Sequence, residues 1–345
     1  MGLEKWRWAS LPPATFPRFQ VDPEKCTGCG RCAEACPIQL TEIVDKKARP
    51  NLRYDHFRCI ACENCMAVCP RGAIRIEGEY RVEKGFWKNA DLFEGGKTWP
   101  EPLPGSRDRK FSEYEKELTE TERVIYKRRS VRLFQKKPVS RELIKRVIEA
   151  GRFAPSAGNN QPWKFVVIDN PKVIDEIDIL CRKVCRFGTF LMLPQAWREK
   201  RTPGDQGARL SLWQKLFLPI FVRLNPGETD PRARGGINSV ASDPKYHTFF
   251  HTPALIIILA DKRGVGSIEL DSGICGQNIV LAAHSLGLGT CYVAIVTALR
   301  FFPKYRKKLG IGDQWKIVTS ICLGYPLGKV DNVVEREQAR INWVG

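Results

Sequence analysis

The 345-residue chain is short of several things that would assign it quickly. It holds three methionines and four histidines, and none of the histidines (His56, His247, His251, His284) stands at metal-ligand spacing from another. No Ser/His/Asp or Cys/His catalytic set can be assembled from its second half. The longest apolar candidate, residues 253–260 (PALIIILA), falls well short of the roughly 20 residues that span a bilayer. It reads instead as a buried strand. The N-terminus, MGLEKWRWASLPPATF, has neither an uninterrupted hydrophobic segment nor a cleavage site, so no secretory signal is expected. Trp6 occupies the position where a myristoylation signal requires Ser or Thr. A cytoplasmic protein is the expectation. There is also no G-x-G-x-x-G: Gly287-Leu-Gly289 lacks the third glycine and the preceding strand, which disfavours a Rossmann dinucleotide site.

Lysine and arginine, by contrast, are abundant. The 56 basic residues exceed the 38 acidic ones by 18. The excess is spread along the chain with no RNA- or DNA-reading motif attached, so an acidic redox partner is the better reading and nucleic acid is not expected. The 13 cysteines are distributed unevenly. Cys181, Cys185, Cys275, Cys291 and Cys322 are scattered through apolar sequence and read as buried small hydrophobes. The other eight form two dense runs.

The first run is CTGCGRCAEACP, with Cys26, Cys29, Cys32 and Cys36; the second is CIACENCMAVCP, with Cys59, Cys62, Cys65 and Cys69. Corresponding cysteines all differ by 33, an internal duplication that predicts a small pseudo-twofold domain. Zinc usually takes two well-separated C-x2-C knuckles, whereas C-x2-C-x2-C-x3-C-P wraps a cubane cluster. Over residues 19–79 the chain resembles the bacterial two-cluster ferredoxins. The resemblance implies crossed ligation: Cys26, Cys29, Cys32 and Cys69 on one 4Fe-4S cluster, and Cys59, Cys62, Cys65 and Cys36 on the other.

From Tyr80 to about Glu122 the composition turns rich in Gly, Pro and charge, and reads as a connector whose aromatics (Phe86, Trp87, Phe93, Trp99) lie against a domain surface. Then follows Arg128-Arg129-Ser130-Val131-Arg132, a hydroxyl among guanidiniums suited to a phosphate monoester. A helix is expected over 140–152 with Leu143, Val147, Ile148 and Ala150 on its buried side. The loop APSAGNNQPW (154–163) leads into a strand over 164–168 and offers polar groups to the edge of a flat heterocycle. DSGICGQNIVLAAHSLGLG shows helical spacing at Cys275, Ile279, Ala282 and Leu286, and stops at Gly287. ICLGYP (321–326) closes the core as a strand.

The stations RRSVR, APSAGNNQPW, GLGTCYV and LGYP, in that order over residues 121–343, resemble the nitroreductase family of flavoproteins. The resemblance implies an α+β chain: a small pseudo-twofold ferredoxin domain, then an α/β/α sandwich around a mostly antiparallel sheet. It also implies non-covalent FMN at the interface of a homodimer. Arg128, Arg129, Ser130, Arg132 and Arg336 would hold the phosphate and ribityl chain. Pro155, Ser156, Ala157, Asn159 and Gln161 would reach the flavin from the other subunit, and Ala294 and Ile295 would bring backbone to its N5 edge. Catalysis would belong to the flavin, with no catalytic side chain.

The expected division is a tail (1–20), the ferredoxin domain (21–79), a linker (80–122) and the flavin domain (123–345) with an insertion at about 182–245. That insertion has 12 basic against 5 acidic residues. Its stretch 210–224 reads as a lid or dimer contact in preference to a membrane-surface helix, since Pro219 interrupts it. Single-electron clusters joined to a two-electron flavin imply an oxidoreductase. Electrons would pass from a ferredoxin-like donor through the clusters to FMN, and on to a nitro, quinone or activated C=C acceptor. The alternative is an electron-transfer subunit relaying to or from a protein partner, and NAD(P)H stays open as donor.

Overall fold

The structure is a computed structural model that describes residues 14–51, 59–78, 81–82, 97–107, 109–196, 240–241, 246–339 and 341–345. The connector aromatics Phe86, Trp87 and Phe93, His56 and the stretch 210–224 lie outside the described residues. The chain divides into two compact units. One comprises residues 1–62, 71–96 and 185–244; the other comprises 63–70, 97–184 and 245–345.

In the first unit, strand β1 (Arg18–Val21) pairs antiparallel with β4 (Ile74–Glu77), so that Phe19 opposes Ile76. Strands β2 (Thr41–Val44) and β3 (Lys47–Pro50) form a hairpin. Its two turn residues, Asp45 and Lys46, are both left-handed (φ 50° and 57°), the turn whose twist matches that of the strands. Helix α1 (Arg31–Ala35) buries Cys32 and Ala35, and Ile38 and Ala48 are buried as well.

The second unit includes helix α2 (Asn64–Val68), whose Val68 is 3.4 Å from where a side chain on Gly328 would begin. Residues 97–122, which composition placed at the end of a connector, are built into this unit. Strand β5 (Lys97–Thr98) pairs with β10 (Arg336–Glu337), and helix α3 (Phe111–Tyr114) buries Tyr114 completely, its hydroxyl donating to the Pro100 carbonyl at 2.7 Å. Helix α4 (Glu120–Lys127) starts at Thr119 with a reciprocal cap from Glu122.

Helix α5 (Arg141–Arg152) is capped by Ser140, which accepts from the Leu143 amide. Its buried stripe is Ile144, Val147 and Gly151, with Leu143 and Ile148 at the margin. The stripe expected from sequence is therefore rotated. The cause is Gly151, where a β-carbon would stand 2.6 Å from the Ile279 side chain, so the helices meet along that line. Strand β6 (Trp163–Ile168) leads into α6 (Pro171–Ala196). Strand β7 (Ala254–Asp261) is buried in all but its last residue, as the apolar run required. Helix α7 (Ile268–Ser285) ends where Gly287 turns left-handed (φ 74°). Strand β8 (Gly289–Tyr292), a 3-10 segment (Ala294–Phe301), helix α8 (Pro303–Lys308) and strand β9 (Trp315–Gly324) follow.

The sheet order is β8-β9-β7-β6, antiparallel throughout. Helices α5 and α7 cover one face with Val147, Cys275 and Ile279 against Ile256, Ile258 and Ile321. No described helix is long and apolar enough to cross a membrane.

Candidate functional site

The two cysteine runs repeat in backbone conformation as well as in spacing. Gly28 and Gly30 are left-handed (φ 71° and 79°), and so are Ala61 and Glu63 at the positions 33 later (φ 53° and 54°). Helix α1 begins at Arg31 and α2 at Asn64, and each ends on a cysteine of extended conformation, Cys36 or Cys69. Left-handed residues without glycine are costly, and holding two of them in the second run points to a loop shaped around a ligand. The first run has no room to spare: a β-carbon on Gly28 would meet the Lys46 carbonyl oxygen at 2.3 Å.

Backbone amides already face the sulfurs. Ala48 donates to Cys26 Sγ at 3.4 Å, Leu40 to Cys36 Sγ at 3.3 Å and Ala61 to Cys59 Sγ at 3.4 Å. Such N–H groups stabilise negative sulfur and tune a cluster. The residues present fit thiolate-held cubanes. The scattered cysteines are all buried, as expected from sequence, and burial pushes the Cys275 thiol up to about 12.

The Arg128–Arg132 run lies alongside β8. Ser130 bridges to Thr290, and the Val131 amide donates to the Thr290 carbonyl at 2.8 Å. Val131 fits there because residue 289 is glycine: a β-carbon would stand 2.7 Å from its side chain. Burial, and after it the neighbouring Arg336 guanidinium, lowers the pKa of Arg128. A half-buried arginine that feels a second, exposed arginine gains from an anion placed beside it. Arg132 lies over the Phe250 ring at 5.9 Å; burial, and after it Cys291 across the β8–β9 pair, pushes the Cys322 thiol up, with the Arg132 charge opposing. Arg129 is buried and its Nη1 donates to the Asn332 carbonyl at 2.9 Å. Ala294 is exposed and Ile295 half-buried, directly after β8 and Val293.

The loop 155–161 stands elsewhere. Gly158, Asn159 and Gln161 are all left-handed (φ 57°, 53° and 49°). The Ser156 hydroxyl accepts from the Gln161 amide at 2.9 Å, and the Ala157 amide donates to Asp271 at 3.2 Å. Pro155, Asn159 and Gln161 are exposed, with Ser156 and Ala157 half-buried. Asp271 is in the first turn of α7, whereas Arg128 acts on His284 in its last turn. Thirteen residues of helix separate those ends by about 20 Å. Within one chain the loop and the arginine run thus serve opposite ends of α7.

Sequence reasoning missed Val131, Asn332 and Asp271, which position the candidate groups. The glycine at 289 was the available signal for the first; the other two contacts join residues more than 100 positions apart. The structure also gathers His247, His251 and Asp175, which spacing had left apart. His247 Nε2 is 2.9 Å from Asp175, while its Nδ1 accepts from the Phe249 and His251 amides. With Nδ1 accepting, the ring proton sits on Nε2 toward the carboxylate, a structural arrangement.

Residues 125–325 match the model of the nitroreductase family, and residues 25–73 match that of a 4Fe-4S dicluster domain. The chain is similar to 4-nitrobenzoate reductase of Pseudomonas putida, at 30% identity over 59% of this chain and 83% of that one. It is 46% identical to 5,6-dimethylbenzimidazole synthase of Rhodospirillum rubrum, over 58% of this chain and 78% of the relative. An FMN-bound nitroreductase from Bacteroides fragilis aligns with a TM-score of 0.45 at 20% identity, covering 66% of this chain and all of the other. The chain belongs to the nitroreductase family. It joins an oxidoreductase domain of that family to an N-terminal 4Fe-4S dicluster domain.

Proposed function

We propose that this chain moves electrons from a ferredoxin-like low-potential donor, by way of its two clusters and FMN, to a small organic acceptor carrying a nitro, quinone or activated C=C group. The clusters supply single-electron transfer and FMN supplies hydride or two-electron chemistry. The observation that carries this reading is the duplicated cysteine run in one chain with a nitroreductase-family domain. A one-electron module has its clearest use where a two-electron carrier must be filled stepwise.

Arg128, Ser130, Arg132 and Arg336 hold the FMN phosphate, with Arg129 fixing the 326–337 strap to the run through Asn332. Ala294 and Ile295 present backbone to the N5 edge. Loop 155–161 contributes from a second copy of the chain, because it sits about 20 Å of helix away from the arginine run of its own chain. The site is thereby completed by a homodimer, and no side chain of the set acts as a catalytic acid or base. The named relatives include nitro-group reductases and a synthase, so the acceptor is assigned by class.

The test is anaerobic reduction of the holoprotein while its flavin absorbance is followed. Reduced ferredoxin should bleach the flavin faster than NADH or NADPH at equal reducing equivalents. Faster bleaching by a pyridine nucleotide would replace the proposed donor. The relay reading, in which the acceptor is a protein, predicts no turnover with any small nitro, quinone or enone compound.

A further inference from the structure

A cavity of about 610 Å³ opens between the segment 99–127 and the strap at Asp331–Val333, a size typical of small-molecule sites. None of the residues assigned to FMN lines it. Two aromatic rings do. Trp99 is 41% exposed, and Phe111 is braced edge-on by Tyr114 and Tyr126 at centroid distances of 5.4 and 6.2 Å. Together they offer apolar faces on which a flat ring can stack.

The charged lining is divided into two poles. At one, Lys127 is shared between Glu115 at 2.8 Å and Asp331 at 3.7 Å, and Lys329 also reaches Asp331 at 3.8 Å, so the charges balance and the two carboxylates stand as hydrogen-bond acceptors. Asn332 Oδ1 adds an acceptor that is buried without a hydrogen-bond partner among the described residues. This pole suits a ring amine, which brings N–H donors. The other pole is cationic. Arg107 has only a loose contact with Glu101 at 3.9 Å, Arg109 is engaged by Glu117 at 2.5 Å, and Lys110 makes no ion pair among the described residues. The exposed Ser112 hydroxyl stands beside them. A guanidinium, an ammonium and a hydroxyl are the donors that hold phosphate.

We propose that this cavity binds an adenine nucleotide. The base lies against Trp99 and Phe111, its amino group donates toward the Glu115–Asp331–Asn332 pole, and its phosphates meet Arg107 and Lys110. The inference does not rest on the acceptor or donor proposed above, and it gives a chain without a Rossmann motif a place for a nucleotide.

The probe is ADP, titrated by calorimetry into full-length protein loaded with iron and FMN. One ADP per chain should bind. Arg107→Ala combined with Lys110→Ala should weaken it about 100-fold, tenfold for each lost charge-assisted contact, with FMN and iron content unchanged. Arg107→Lys, which keeps the charge, should lose less than the alanine variant. Inosine diphosphate, lacking the amine, should bind more weakly than ADP. NADPH separates two sources of the same chemistry: competition with ADP that fails in the double variant means a dinucleotide uses this cavity. Absence of competition leaves the free nucleotide as the ligand. No ADP binding up to millimolar concentration would overturn the proposal. So would binding that survives the double variant and disappears in Arg128→Ala, since ADP would then be in the flavin cradle.

Discussion

At the scale of single residues, Gly289 decides where the arginine run lies. Its missing β-carbon leaves the space that Val131 fills, and Val131 is flanked within one residue by Ser130 and Arg132. Gly289→Ala should push Val131 out by a few tenths of an ångström or more, and FMN affinity should fall about tenfold as charge-assisted phosphate contacts lengthen. Adding Val131→Ala should restore most of the loss, because the clash is between those two side chains. Equilibrium dialysis against FMN checks both; unchanged affinity in Gly289→Ala would show that the run is positioned by something else. His284 carries a second prediction at this scale. Burial, then the Arg128 guanidinium, lowers its pKa below 6.5. As pH falls through about 6.5 the unfolded chain takes up a proton that the native chain refuses. The stability tied to His284 is therefore complete above that pH and is lost progressively below it. Replacing His284 by Asn should flatten this part of the profile in chemical denaturation at a series of pH values.

Among the elements, the contact of α5 with α7 is the one most exposed to a single change. Gly151→Ala improves helix propensity by roughly 1 kcal/mol but drives a methyl to 2.6 Å from Ile279. Overpacking of that kind costs about 1–3 kcal/mol, so the clash wins and thermal unfolding should move to lower temperature. A higher unfolding temperature would mean that the helices separate freely at this point. The same contact shows why part of the fold was legible and part was not. Strand β7 could be read directly, because an eight-residue apolar run buried on both faces has one meaning in this setting. The end of α7 could be read from Gly287, whose φ of 74° is the backbone that glycine tolerates. The buried stripe of α5 was misplaced, since Gly151 counts as no hydrophobe in a periodicity yet marks the line of closest approach. Tyr114 and Leu118, both buried, were hidden in sequence by the surrounding glycine, proline and charge.

For the whole molecule, what could be read was the chemistry: eight cysteines at fixed spacing and four ordered stations. What could not be read was the division of labour among them. Arg129 looks like its neighbours in sequence, but one nitrogen of its guanidinium donates to Asn332 in the strap, 203 residues away. For loop 155–161 the resemblance already implied a place on the other subunit; what the structure adds is that the loop and the arginine run of one chain stand at opposite ends of α7. The central claim is that the cysteine runs feed the flavin domain electrons. Cys29 is the best position for testing it. It is exposed and belongs to the first unit, whereas Cys69 adjoins Val68, which packs on Gly328 of the strap. In Cys29→Ser protein, turnover of a nitroaromatic should be measured twice, once driven by reduced ferredoxin and once after direct chemical reduction of the flavin. The ferredoxin-driven rate should collapse while the directly driven rate stays near that of the unaltered protein. Equal rates with ferredoxin before and after the substitution would contradict the central claim, because electrons would then reach the flavin without the clusters.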